Sequence, residues 1–376
     1  ELVRGPGQEA ESPPPPPLPA AAATTTQWSL PEAEEEGVEW LHHLLSRART
    51  ALASDLHLVV GAPPVARVNG RLEAQGEKAL TPGETKQLCA ALVPDSRRAR
   101  LAGHGSVDFS FRHPELGRFR CNVHRQREHW SAAVRLFPEA TPDLEPLNLP
   151  PALGRFADLH YGLVLVTGPT GCGKSTTLAA LTRRILARRR VHLVTIEDPV
   201  EYEHEHSGSL VEHVEIGRDA PSFKDALRAA LRQDQDVILI GEMRDLDSIS
   251  IAITAAETGH LILSTLHTGD APQTVHRIVD SYPANQIETV RTQLSVSLAG
   301  IVSQQLLPRA DGQGRVPAVE LLCATAAVRN LIRRGKIEQI RGQLTLERSA
   351  GMLDLDESLA RLVREGLVDP AEAQAR

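Results

Sequence analysis

The run Gly168-Pro169-Thr170-Gly171-Cys172-Gly173-Lys174-Ser175 constrains this 376-residue chain more than any other segment. Glycines at 168, 171 and 173 let the backbone turn consecutive N–H groups inward, a path that residues with a Cβ resist. The apolar run Leu163–Val166 comes before it, and helical spacing over 176–187 follows it. A buried strand, a glycine loop and a helix N-terminus in that order cradle phosphate oxygens, with the positive end of the helix aimed at them. In such a loop Lys174 reaches the β- and γ-phosphates and the Ser175 hydroxyl ligates Mg2+. The spacing predicts ATP bound by Gly168 through Ser175 together with Thr176, with Mg2+ as cofactor.

The surrounding pattern supplies a matching scaffold. Strand-like runs at 163–167, 192–196, 237–240 and 261–266 alternate with helical patterns at 176–187, 222–232 and 246–258. That rhythm belongs to a parallel α/β sheet covered on both faces. After Gln286 helical spacing takes over (289–304, 325–333, 356–364), so a helical C-terminal part is expected. Ahead of the core, 38–48 has helical spacing, while Val107 to Phe111, Phe119 to Val123 and Trp130 to Leu136 alternate as strands. Asn69-Gly70 signals a hairpin turn, and Thr81-Pro82-Gly83-Glu84 a helix capping box. Residues 38–137 therefore read as a small α+β domain with an antiparallel sheet. Pro138, Pro142, Pro146, Pro150 and Pro151 make 138–151 a semi-rigid hinge linker to an ATPase domain over 152–376.

Residues 1–37 hold Pro13–Pro17, one base and seven acids, and are expected to be a disordered extension. They carry −6 of the formal −7, leaving the other 339 residues at −1. A near-neutral body with three Trp and three Tyr argues against a dedicated nucleic-acid binder. No apolar run approaches the roughly 18–20 residues that span a bilayer, and no secretory signal is evident. Four dispersed cysteines exclude a zinc ribbon of the Cys-x-x-Cys type and argue against a disulfide framework, which fits a cytosolic protein with reduced thiols.

Further carboxylates and bases fall at strand ends. Val237–Ile240 runs into Gly241-Glu242, placing Glu242 at the carboxyl end of a strand, where open α/β sheets hold ligands. Gly241 stands where an Asp is usual, so Glu242 meets Mg2+ directly or through water. Glu197, Asp198 and Glu201 follow the strand at 192–196. Glu201 is the candidate for activating the attacking water, with Glu197 or Asp198 serving the metal or supporting it. His260 and His267 flank the strand at 261–266, about 23 Å apart, so they cannot share one metal. His267 is placed to sense the γ-phosphate; His260 caps the preceding helix or meets a neighbouring subunit. His204, His206 and His213 read as loop. Arg232 and Arg244 flank the Glu242 strand, so one could touch phosphate. Arg118 and Arg120 share a strand face opposite Phe119 and Cys121. They are either surface ion pairs or arginine fingers across a subunit boundary, of which Arg120 is the stronger catalytic candidate.

With these boxes in order, the chain resembles the type IV pilus and type II secretion ATPases from about Val38 to its end. The resemblance is carried by Ser54-Asp55-Leu56-His57-Leu58, the phosphate loop, and Thr195-Ile196-Glu197-Asp198-Pro199-Val200-Glu201. It continues in Gly241-Glu242-Met243-Arg244-Asp245 and in the segments 254–260 and 264–268 around the two histidines. It implies a PAS-like N-terminal domain, a RecA-like P-loop motor domain and a homohexamer with ATP between the two domains. It also implies catalytic Glu201 and Glu242, box histidines His260 and His267, Arg277 near the nucleotide, and arginines of the first domain approaching it. The segment 327–333 is similar to the retraction signature, although Arg334 stands where that signature is acidic; a tetracysteine insert is absent from the sequence. The expected activity is ATP hydrolysis that powers pilus retraction (twitching motility) through an inner-membrane platform protein, from a cytoplasmic position against that membrane. A pilus extension or type II secretion motor, and a nucleotide-gated scaffold that never turns over, are the alternatives.

Overall fold

Alternating apolar residues between 55 and 136 pair off into one antiparallel sheet. The computed structural model describes residues 30–376, and helix α1 (Glu35–Thr50) opens it. Strands β1 (Asp55–Leu58), β2 (Val65–Val68) and β3 (Arg71–Ala74) are followed by helices α2 (Pro82–Leu92) and α3 (Asp95–His104). Strands β4 (Ser106–His113), β5 (Gly117–Gln126) and β6 (His129–Leu136) complete the sheet, in the order β3-β2-β1-β6-β5-β4. The Thr81 hydroxyl accepts from the Glu84 N–H at 3.2 Å while the Glu84 carboxylate accepts from the Thr81 N–H at 2.7 Å, so α2 starts with both capping bonds made. Phe119, Cys121 and Val123 turn inward against the helices, which sends Arg118 and Arg120 to the other face.

A second body follows. It contains β7 (Gly162–Thr167), α4 (Lys174–Arg188), β8 (His192–Glu197), β9 (Leu210–Glu215), α5 (Phe223–Ala230) and β10 (Val237–Ile240). Next come α6 (Leu246–Glu257), β11 (Leu261–Leu266), α7 (Ala271–Val279), α8 (Ile287–Ser297), β12 (Leu298–Pro308) and β13 (Arg315–Cys323). Helices α9 (Ala326–Arg333), α10 (Ile340–Leu346), α11 (Leu355–Arg364) and α12 (Pro370–Gln374) close the chain. The sheet order is β13-β12-β7-β11-β10-β8-β9, parallel throughout except for β13. Every residue of β7, β10 and β11 is buried, as a sheet covered on both faces requires.

The structure departs from the sequence reading in four places. Helix α1 begins at Glu35 and buries Gly37, so the extension expected over 1–37 overlaps a folded helix; residues 1–29 lie outside the described residues. The helix expected over 289–304 ends at Ser297, and Leu298–Pro308 is a strand instead. Its residues are buried on both faces from Gly300 to Gln304, which removes the two-residue alternation that marks a strand. The segment around His213 is strand β9 rather than loop. The proline-rich stretch is fastened for most of its length: Leu144 and Leu149 enter the core of the second body, and Asp143 and Glu145 pair with Arg183 and Arg184 at 2.9 and 2.7 Å. Among the described residues no helix is long and apolar enough to cross a membrane.

Strand β12 approaches the three-residue-per-turn helix at Pro151–Asp158 closely. A Cβ on Gly300 would lie 2.2 Å from the Phe156 ring and 2.8 Å from the Leu322 carbonyl oxygen. Gly300→Ala is therefore expected to lower unfolding stability by about 1–3 kcal/mol, the usual cost of overpacking. A urea midpoint equal to that of the unsubstituted protein would contradict this packing.

Candidate active site

The glycine loop leaves the carboxyl end of β7 and doubles back into α4. Gly168, Gly171 and Gly173 have φ of 138°, 78° and 92°, so all three need the left-handed freedom of glycine. At Gly168 space is also exhausted: a Cβ would lie 2.2 Å from the Gln304 carbonyl oxygen and 2.7 Å from Cys172 Sγ. Gln304 itself was not singled out by the sequence, because it sat inside an expected helix. Its side-chain amide donates to the Cys172 carbonyl at 2.7 Å, and its Oε1 accepts from the Thr177 hydroxyl at 2.9 Å. Strand β12 thus holds the loop from below with a buried glutamine.

Lys174, buried at the head of α4, donates to the Gly168 and Pro169 carbonyls at 2.9 and 3.1 Å and to His267 Nδ1 at 3.3 Å. With Nδ1 accepting, the ring proton lies on Nε2, which faces Glu242 Oε1 at 3.1 Å. The other Glu242 oxygen accepts from Arg244 Nε at 2.8 Å, and Arg244 Nη1 lies 3.9 Å from Asp198. One chain of contacts therefore joins Lys174, His267, Glu242, Arg244 and Asp198. Burial holds the Lys174 ammonium below its usual pKa, while Glu242 and Glu201 act in the opposite direction. A desolvated cation whose donors are spent on backbone carbonyls and a neutral ring is suited to exchange them for anionic oxygens.

Ser175, Glu197, Gly241, Thr265 and Tyr202 line a small cavity beside the loop. The structure supplies a reason for Gly241 in place of an Asp: a Cβ there would press on Glu197 Cα and Cγ at 3.3 and 3.4 Å. Burial, ahead of the neighbouring Glu201 charge, pushes the Glu197 carboxyl up to about 7, against hydrogen bonds from Thr195 and the Glu201 N–H. Tyr202, also missed from sequence, bonds Thr176 through its hydroxyl at 3.0 Å and ties the turn carrying Glu201 to α4.

Other candidates fall elsewhere. Arg118 reaches from β5 to the second body, pairing with Glu215 at 2.8 Å and Glu203 at 3.3 Å, so within this chain it is engaged by carboxylates. Arg120 pairs with Asp108 at 2.6 Å and touches the Asp198 carbonyl at 3.4 Å, which leaves it beside the Glu197–Glu201 turn. Arg232 precedes β10 whereas Glu242 follows it, so the expected approach of Arg232 to phosphate is corrected: it belongs to the opposite sheet edge. Arg277 is exposed in the last turn of α7 and joins none of these contacts. His260 Nδ1 lies 3.0 Å from the Ala255 carbonyl, at the end of α6 and across the strand from His267.

The comparisons with known proteins agree with one another. The family model described as type II/IV secretion system protein matches residues 131–365, and the chain belongs to this family. Within it, the chain is 44% identical over 313 residues to the twitching motility protein of Neisseria gonorrhoeae, covering 83% of this chain and 84% of that protein. It is 43% identical over 327 residues to the type IV pilus retractation ATPase PilT of Pseudomonas aeruginosa, covering 86% and 94%. Among solved structures, the pilus retraction motor PilT with bound ADP superposes with a TM-score of 0.81 at 44% identity, covering 89% of this chain and 95% of that one.

The position of Glu197 has a pH consequence. A folded-state carboxyl near 7, against an ordinary 4.5, keeps a proton that the unfolded chain has already released between those values. Its contribution to stability is complete below 4.5 and is lost as the pH rises through 7. Glu197→Gln should therefore narrow the difference between urea midpoints measured at pH about 5 and about 7.5. An unchanged difference would mean that this carboxyl titrates normally.

Proposed function

We propose that the chain is an ATP-hydrolysing motor that powers type IV pilus retraction, working as a ring of six copies. The observation that carries this reading is the meeting of Lys174, His267 and Glu242 at one sheet edge, with Glu201 on the neighbouring strand end, in a chain 44% identical to a twitching motility protein and to a solved pilus retraction motor. The core is read as RecA-like with Gly168–Ser175 as its phosphate loop, and the first body as PAS-like. The glycine cradle fits a triphosphate: it has no room for side chains at Gly168, and it aims the N-terminus of a fifteen-residue helix at the bound phosphates.

Backbone N–H groups of the loop and Thr176 hold the phosphates, and Lys174 turns from its backbone partners to the β- and γ-oxygens. Mg2+, held by the Ser175 hydroxyl and by Glu242 directly or through water, would offset charge on those oxygens. Glu201 orients and deprotonates the attacking water, Asp198 and Glu197 support that turn, and His267 links the γ-phosphate position to Glu242. Arg120 touches the Asp198 carbonyl in this turn and can act on the nucleotide of the same or an adjacent copy. Mechanical work follows from rotation of the two bodies, transmitted to a platform protein in the inner membrane against which the ring sits in the cytoplasm.

Glu242→Gln should leave ATP binding within about threefold while lowering steady-state phosphate release by at least about a hundredfold. Normal turnover in that variant would remove Glu242 from catalysis. An unsubstituted protein that binds ATP and releases no phosphate would favour the nucleotide-gated scaffold. In cells, deletion of the gene should leave many long, immobile filaments, whereas a bald surface would favour an extension motor.

A further inference from the structure

Resting on the reading above, we propose that His213, acting through Thr195 and Glu197, is a positioning residue for the water-activating Glu201. Five groups on adjacent elements are joined in a line by four hydrogen bonds. The His204 N–H donates to His213 Nε2 at 3.1 Å, and a backbone N–H can only donate. The His204 carbonyl lies farther from the same nitrogen, at 3.4 Å, so the shorter contact makes Nε2 the acceptor and puts the proton of the neutral ring on Nδ1. That nitrogen is 2.8 Å from the Thr195 hydroxyl oxygen and donates to it. Thr195 and Glu197, two residues apart on β8, share one face of the strand, and the Thr195 hydroxyl donates to the Glu197 carboxyl. Glu197 Oε2 in turn accepts from the Glu201 N–H at 3.4 Å. The direction of the line is set at the His204 end.

The register of the sheet explains how the line is assembled. Strands β8 and β9 are parallel with Thr195 beside His213 and Glu197 beside Glu215, so all four side chains share one face. Thr195 is fully buried and cannot turn to water for another partner. His204 stacks on His213 with ring centroids 6.0 Å apart and an interplanar angle of 15°, which fixes the ring that Thr195 reads. Burial holds both imidazoles below their ordinary pKa, keeping them neutral. The turn between these strands, 198–209, carries Glu201, and its geometry is set from both ends. Tyr202 fastens it to α4, and the histidine line fastens it to the sheet.

The test compares ATP turnover of the full chain with His213→Ala, His213→Gln, Thr195→Val and Thr195→Ser. The glutamine amide offers one donor and one acceptor, spaced much as the two ring nitrogens are. His213→Ala and Thr195→Val should each lower kcat about tenfold with KM for ATP changed by less than about twofold, the signature of a support for the reacting group rather than for binding. His213→Gln and Thr195→Ser should recover most of that loss. The His213→Ala/Thr195→Val double variant should be no slower than Thr195→Val alone, because both break the same line. Full kcat in His213→Ala or Thr195→Val beside an active parent overturns this inference and leaves the proposed activity standing. The same holds if the glutamine and serine variants are as slow as the alanine and valine ones. If His213→Ala does not fold, the near-isosteric Thr195→Val decides alone. A parent that assembles yet releases no phosphate overturns the activity and this inference together.

Discussion

A lysine ammonium drawn out of water at the carboxyl edge of a parallel sheet is the constraint around which the second body is organised. Lys174 can be buried there because two carbonyls of the glycine loop and the His267 ring accept from it. Those acceptors exist only while Gly168 allows the loop to fold onto Gln304, and Gln304 is held only because β12 runs beside β7. Loss of any member would leave a buried cation or carbonyl without its partner, which is far more costly than the net gain of one hydrogen bond. The loop is thus a tertiary object, although it is written in eight consecutive residues.

Much of this was legible in the sequence. The loop, the strands that end at Glu197 and Glu242, and the capping box of α2 follow local rules of spacing, and those rules survive folding. What escaped is what depends on partners far along the chain. Gln304 lies 127 residues from Thr177, and a strand buried on both faces has no periodicity to announce it. β9 is the outermost strand of its sheet and mixes charged with apolar residues, so the run at 210–215 reads as surface. β13 tolerates Pro317 for the same reason, since an edge strand has one side with no ladder to break.

The arginines illustrate the limit of reading side chains from a strand face. Alternation correctly separates Arg118 and Arg120 from Phe119 and Cys121, but it cannot say what stands opposite. Arg118 meets two carboxylates of the second body, while Arg120, two residues away, is taken by Asp108 of its own hairpin. Whether such a residue is a surface ion pair or a catalytic aid is decided by the neighbouring body and not by its own strand.

The grip of Arg118 on Glu203 and Glu215 has a mechanical meaning. Glu203 lies two residues beyond Glu201, and Glu215 also accepts from the Val200 N–H at 3.3 Å. The small body is therefore bolted to the very turn that would deliver the water-activating carboxylate. In the motor proposed above, a swing of that body would pull on this turn directly, so load and readiness for hydrolysis would become two readings of a single displacement.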